Sequence, residues 1–248
     1  MKADHCIVLS IFTFFLGILF GSIFLSGYLE ITPEAFVPAL TTLIAAFAGA
    51  WTAYSLQHQK DLRSEEKQNI VHANEVISAI LDNLNLIDLY RRKVVDPFRL
   101  HPYRYLAILP TTFELKPNLE IDTTGLNFIW QKGNSQLPSK IIKAKFVFNV
   151  TLDLIKSRSD FHRNVIQVKF EEANFVQGGN IQLETVKVIL GERDFQELID
   201  LTNNMIISLD SAMQLLFEVA SELHDEVKKI YPNEYVLVIN KGVEPEQN

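Results

Sequence analysis

The chain has 248 residues, 30 acidic and 23 basic side chains, a formal net charge of −7 and one cysteine, Cys6. A single cysteine excludes an intramolecular disulfide and a cysteine metal cluster. The charge is uneven: residues 97–150 carry seven basic and three acidic side chains, whereas residues 176–248 carry five basic and thirteen acidic ones. Either the two regions face each other or water, or the basic region meets an acidic partner, nucleic acid included.

The N-terminal quarter is dominated by two uncharged runs, Cys6 to Leu29 and Ala35 to Gln57. At 1.5 Å per helical residue the first covers about 35 Å, enough for a hydrocarbon core of about 30 Å. It is too long for a secretory h-region, and Ser26-Gly27-Tyr28 makes a poor cleavage site. The two runs together predict a transmembrane hairpin in residues 1–56, with spans at about 6–29 and 35–56. Between them, Thr32 suits an N-cap, Pro33 the first helical position and Glu34 the positive end of the helix dipole. Tyr28 at one end, and Trp51 and Tyr54 at the other, fit the membrane interface. The turn holds Glu30 and Glu34 without Lys or Arg, while Lys2 precedes the first span and Lys60, Arg63 and Lys67 follow the second. The positive-inside rule then puts both termini in the cytoplasm. Cys6 fits a small apolar residue at a span end or an acylation site.

Residues 57–69 alternate charges of both signs, as on a solvated helical stalk or one with a short break near Ser64. Ile70, Ala73, Ile77, Ile80, Leu84 and Ile87 then repeat at three- and four-residue spacing, one buried stripe of a bundle helix that Pro97 ends. Residues 97–138 hold five of the nine prolines and predict an irregular segment; its mixture "PFRLHPYRY" fits a partner surface or an ordered loop over a helical core. From Ser139 a stripe of Ile141, Ala144, Phe148, Leu152 and Ile155 returns, is diluted by "KSRSDFHRN", and resumes at Ile166 and Phe170 until Gly178-Gly179-Asn180. "ETVKVIL" fits a strand or a helical turn. The last helix opens on a capping-box-like Asp194 and Glu197. Leu198, Thr202, Met205, Leu209, Ala212, Leu216, Ala220, Leu223, Val227 and Ile230 follow at near-heptad spacing, which predicts coiled-coil-like packing within the bundle or between protomers. Pro232 stops the helix, "YVLVI" at 235–239 fits a small edge strand, and residues 241–248 form a tail. The fold class expected is an all-α membrane protein: a two-helix hairpin, then a cytoplasmic helical bundle over residues 70–240.

No chemistry-bearing motif emerges. The sequence has neither a glycine-rich phosphate loop nor H-E-x-x-H, and its six histidines do not sit at metal-ligand spacing from one another. Asp160 and His162, two apart, face different directions on a helix. Glu218, Glu222 and Glu226 form an acidic row best explained as a solvated face. The expectation is a non-enzyme without cofactor, catalytic residue or metal. What the sequence does specify is shape. In the second span Ala35, Ala39, Thr42, Ala46, Gly49 and Ala53 share one face, and Phe36, Leu40, Leu43, Phe47 and Tyr54 lie roughly opposite. The first span has Ser10, Thr13, Gly17 and Gly21. Small residues allow close backbone approach where hydrophobicity cannot drive association. These faces either zip the hairpin within one chain or join several chains. Neither span carries a charge, which disfavours a standing ion channel or proton relay.

The overall plan, with its N-in hairpin, "TPEAFVPALTTLIAAFAGAWTAYSLQHQ", charged juxtamembrane helix and all-helical cytoplasmic domain, resembles the small two-transmembrane effectors of bacterial anti-phage systems. The nearest are those paired with a retron reverse transcriptase and its RNA–DNA product. The resemblance implies a bacterial inner-membrane protein held inactive by that protein–nucleic-acid complex as its regulatory partner. Release on infection would damage the membrane. Arg99, Arg104, Lys140, Lys143 and Lys145 are the candidate partner-binding residues. The alternative is a membrane-tethered adaptor or sensor whose spans only anchor it.

Overall fold

The computed structural model describes residues 17, 21, 33–111, 120–174 and 182–238, and among them it is all-helical, without strands. The chain divides into two units, Met1–Ser64 and Glu65–Asn248. Helix α1 (Pro33–Tyr90) supplies residues to both and is unbroken at Ser64. Most of the first span, the Gly178-Gly179-Asn180 group and the tail lie outside the described residues.

The second unit is a three-helix bundle made by α1 from Glu65 onward, α4 (Leu137–Phe161) and α7 (Glu192–Ile230). The contacts fix its topology. Lys140, Thr151 and Arg158 of α4 meet Glu222, Ser208 and Thr202 of α7, so these helices are antiparallel. Asn69 and Tyr90 of α1 meet Tyr231 and Met205, so α1 is antiparallel to α7 as well. Hence α1 and α4 are parallel, and the chain between them must return the length of the bundle. That return occupies the proline-rich segment. It contains only short helices: α2 (Arg104–Ala107), a 3₁₀ turn (Thr124–Leu126) and α3 (Asn127–Lys132). A long helix is unnecessary there, and the prolines forbid one.

The expected stripes form the core. Ile70, Ala73, Ile77, Ile80, Leu84 and Ile87 of α1 are all buried, as are Ile141, Ala144, Phe148, Leu152 and Ile155 of α4. On α7 the stripe from Leu198 to Val227 is buried throughout, and Ile230 packs against its edge. The near-heptad repeat is thus used within the chain. Truncating one such leucine to alanine costs about 2–5 kcal/mol.

Several boundaries differ from those expected. The α-helical winding of α1 ends at Tyr90, not at Pro97. A π turn (Arg91–Val95) and a 3₁₀ turn (Asp96–Phe98) follow, because the proline ring clashes with the carbonyl four residues earlier. Pro138 fits the first turn of α4, which starts at Leu137 rather than Ser139. The helix beyond Phe161 continues through a π turn (His162–Ile166) into α5 (Gln167–Glu172) and stops at Asn174, whose φ is 50°. "ETVKVIL" is helix α6 (Leu183–Leu190), whose Val186 and Leu190 are buried four apart. Asp194 caps nothing: α7 begins after Gly191, and Asp194 instead pairs with Lys169 at 2.5 Å. The same ammonium bonds the Leu190 carbonyl, closing α6. Residues 235–238 form no strand. Asn74 of α1 stands in for a strand, donating to the Tyr235 carbonyl and accepting from the Leu237 amide.

Gly191 is the whole connection between α6 and α7, at φ 77° and ψ 153°. That region is open to glycine almost alone. Gly191→Ala is expected to lower stability by about 1–3 kcal/mol, read as a fall in thermal midpoint by circular dichroism, with the helical signal at low temperature unchanged.

Candidate functional site

Two features stand out, one in each unit. In the first unit, α1 from Thr41 to Tyr54 is exposed on every side. The small residues Thr42, Ala46, Gly49 and Ala53 are exposed, and so are Leu43, Ile44, Phe47, Trp51 and Tyr54. A Cβ placed on Gly17, Gly21 or Gly49 would meet no described atom within 4 Å. Ala39 lies in the helical backbone; Tyr28 falls outside the described residues. The hydroxyls of Thr42 and Thr52 donate to the carbonyls of Pro38 and Ala48, each at 2.8 Å, so they need no water. Trp51, Tyr54 and His58 form a ring ladder with centroids 6.2 and 6.1 Å apart, where the uncharged run meets the charged one. Among the described residues, no helix is long and apolar enough to cross a membrane. The apolar run continues N-terminal to Thr41, through positions whose side chains, the exposed Pro38 apart, lie outside the described set.

In the second unit the core is cut in two. The main cluster fills the bundle from Ile70 to Val95 and from Met205 to Val227. A smaller one joins Ile166, Val186, Leu190, Phe195 and Leu198, edged by Tyr105, Leu106 and Phe161. Between them lies a polar layer. Arg158 of α4 is 0% exposed. Its Nε donates to Thr202 Oγ1 at 3.2 Å, and its terminal nitrogens donate to the carbonyls of Tyr105, Ile108 and Leu109. Next to it, Ser159 Oγ accepts from the Thr111 amide. Burial pulls the Arg158 guanidinium down to about 10, against the pull of the Tyr90 phenol, so it stays charged near neutrality. The acceptors found for it are neutral. His162, 4% exposed, opens the π turn, and its Nδ1 has no hydrogen-bond partner among the described residues. Burial first, then the Arg158 charge, drives its pKa down to about 4. π turns inside helices recur at functional sites.

The basic residues singled out by the sequence are mostly used inside the chain. Arg99 makes a two-pronged pair with Asp210 at 2.8 and 2.9 Å and a further bond to Asp96. Arg104 donates to Asn203 and to the Arg99 carbonyl. Lys140 pairs with Glu222 at 2.5 Å and lies 3.9 Å from Glu218. Lys145 pairs with Glu120 and bonds the Ile121 carbonyl. Lys143 is exposed, with no ion-pair partner among the described residues. The basic and acidic regions therefore meet across the α4–α7 seam and under the returning segment. The acidic row is divided between Lys140 and Lys229, the latter bonding Glu226 at 2.6 Å. Among the described residues no three His, Cys, Asp or Glu side chains are grouped to hold a metal ion.

Arg158, Ser159 and Tyr90 were not legible as site residues. A signal for the first was present: Ile155, Arg158, His162 and Ile166 keep the three- and four-residue spacing of the buried stripe, so polar residues there occupy core positions.

No family model, no curated protein and no solved structure matches the chain.

A neutral buried histidine makes stability depend on pH in one direction. The folded-state pKa near 4 lies below the ordinary 6.5, so the folded form is favoured in full above about 6.5 and loses that advantage as pH falls towards 4. Between pH 7.5 and 4.5 the wild type should lose up to about 3 kcal/mol more than His162→Gln, measured as the difference in urea midpoints of the two proteins.

Proposed function

We propose that this chain is a two-pass inner-membrane effector of a bacterial anti-phage system. A partner complex holds it inactive, and it damages the membrane when released. The observation that supports this reading best is the surface of α1 between Thr41 and Tyr54. It is apolar and open to its surroundings on every side, whereas a helix of a water-soluble bundle shows one apolar stripe. Lipid is the medium in which such a surface is at no disadvantage. The internally bonded threonines and the Trp51–Tyr54–His58 ladder support it too. So does the uncharged run of residues 6–29, which supplies a second span.

In this reading the small faces containing Gly17, Gly21, Ala39, Thr42, Ala46, Gly49 and Ala53 pack span against span, within a chain or between copies. Release of the partner changes that packing and raises permeability. The partner is a regulatory protein or a protein–nucleic-acid complex, a retron reverse transcriptase with its RNA–DNA being the one the plan resembles. Lys143 is the basic side chain best placed to meet it. The second reading is a membrane-tethered adaptor with spans that only anchor it, favoured by the extent to which the second unit is internally paired.

Expression in bacteria loaded with a potential-sensitive dye separates the two. The effector should collapse the membrane potential. Gly17→Leu, Gly21→Leu and Gly49→Ile should each restore it while the protein stays in the membrane fraction. A wild-type chain that leaves the potential intact favours the adaptor, and undiminished toxicity in all three variants defeats the packing mechanism.

A further inference from the structure

We infer that residues 99–111 form a latch that opens as a unit while the bundle stays folded, with Arg158 as its catch. The latch is held to α4 and α7 mainly by polar bonds. Arg99 reaches Asp210, Arg104 reaches Asn203, and Ser159 accepts from the Thr111 amide. Three latch carbonyls, those of Tyr105, Ile108 and Leu109, close on the single guanidinium of Arg158. Ile108 is the one residue of the latch whose side chain is fully buried, with Tyr105 and Leu106 partly so. A segment anchored in this way gains little from apolar burial, which is the larger share of what resists opening elsewhere in the bundle.

The catch is also one that water can replace. A buried cation surrounded by neutral acceptors has surrendered its hydration without gaining an opposite charge. Opening returns Arg158 to water. The backbone groups released on the latch side are three carbonyls and one amide, and the side-chain bonds released are those of Arg99 to Asp210 and of Arg104 to Asn203; water can satisfy all of these groups. The opening divides the structure where it is already divided, at the polar layer between the two apolar clusters. It removes the cross-link that the latch makes between Arg158 and Ser159 of α4 and Asn203 and Asp210 of α7, and leaves the stripes of Ile141–Ile155 and Met205–Leu223 in contact.

Hydrogen exchange followed by mass spectrometry, on the full-length chain in detergent micelles, tests this. In the wild type, peptides covering 99–111 should exchange at least about a hundredfold faster than those covering 141–155 and 209–223. Their rate should depend only weakly on added urea, as expected for an opening that exposes little surface. Arg158→Met keeps the volume apolar but removes every donor to the latch. It should speed exchange of 99–111 by a further factor of about ten and leave the two helices unchanged. The inference is overturned if latch and helices exchange at one rate with one urea dependence. It is equally overturned if Arg158→Met leaves the latch rate unaltered, or accelerates all three segments together. The wild-type comparison stands whether or not the variant folds, and none of these readouts depends on membrane damage.

Discussion

A guanidinium that leaves water must find acceptors, and the position of Arg158 between α4 and α7 makes the rest of the second unit arrange itself to supply them. The returning chain turns at α2 so that three carbonyls point at one side chain. Thr202 spends its hydroxyl both on the Leu198 carbonyl and on Arg158. The layer this creates splits the apolar interior in two and coincides with the π turn at His162. An apolar residue there would in many proteins be as stable or more so. What the arginine adds is directionality: a hydrophobic layer accepts any neighbour, whereas this one accepts carbonyls at fixed positions.

The charge balance of the molecule follows the same economy. An acidic C-terminal third and a basic middle look from composition like two surfaces for two partners. In the fold they are largely one internal seam, with Lys140 over Glu222 and Arg99 over Asp210. Pairs this exposed contribute only about 0.2–1 kcal/mol each. Their value lies in register, since each joins positions 82 or more residues apart along the chain.

The helices of the bundle could be read in advance because their stripes are long, periodic and made of residues with no other use. Every member from Ile70 to Ile87 and from Ile141 to Ile155 is where the three- and four-residue spacing puts it. The ends were harder. Pro97 acts on the turn before it, and Asp194 is drawn away from a cap by Lys169. The α6 segment is rich in β-branched residues yet helical, because Gly191 sets its exit and Val186 and Leu190 bury together. Arg158 was hidden for a different reason. In "KSRSDFHRN" it is one cation among three, set apart only by its three- and four-residue spacing from Ile155 and His162, a register that a cation on an otherwise apolar stripe disguises. The expectation of small faces in the first unit rests on spacing alone, since a stripe of Ala, Gly and Thr names no partner by itself.

The parallel course of α1 and α4 has a consequence for how the protein is made. Both lay their apolar stripes against α7, which follows both of them in the chain and is the last helix among the described residues. Until residues 192–230 leave the ribosome, two long sticky faces are present with nothing native to cover them, a state prone to wrong association. The nascent chain must therefore wait, shielded by a chaperone or by each other's company, for its own keystone to arrive.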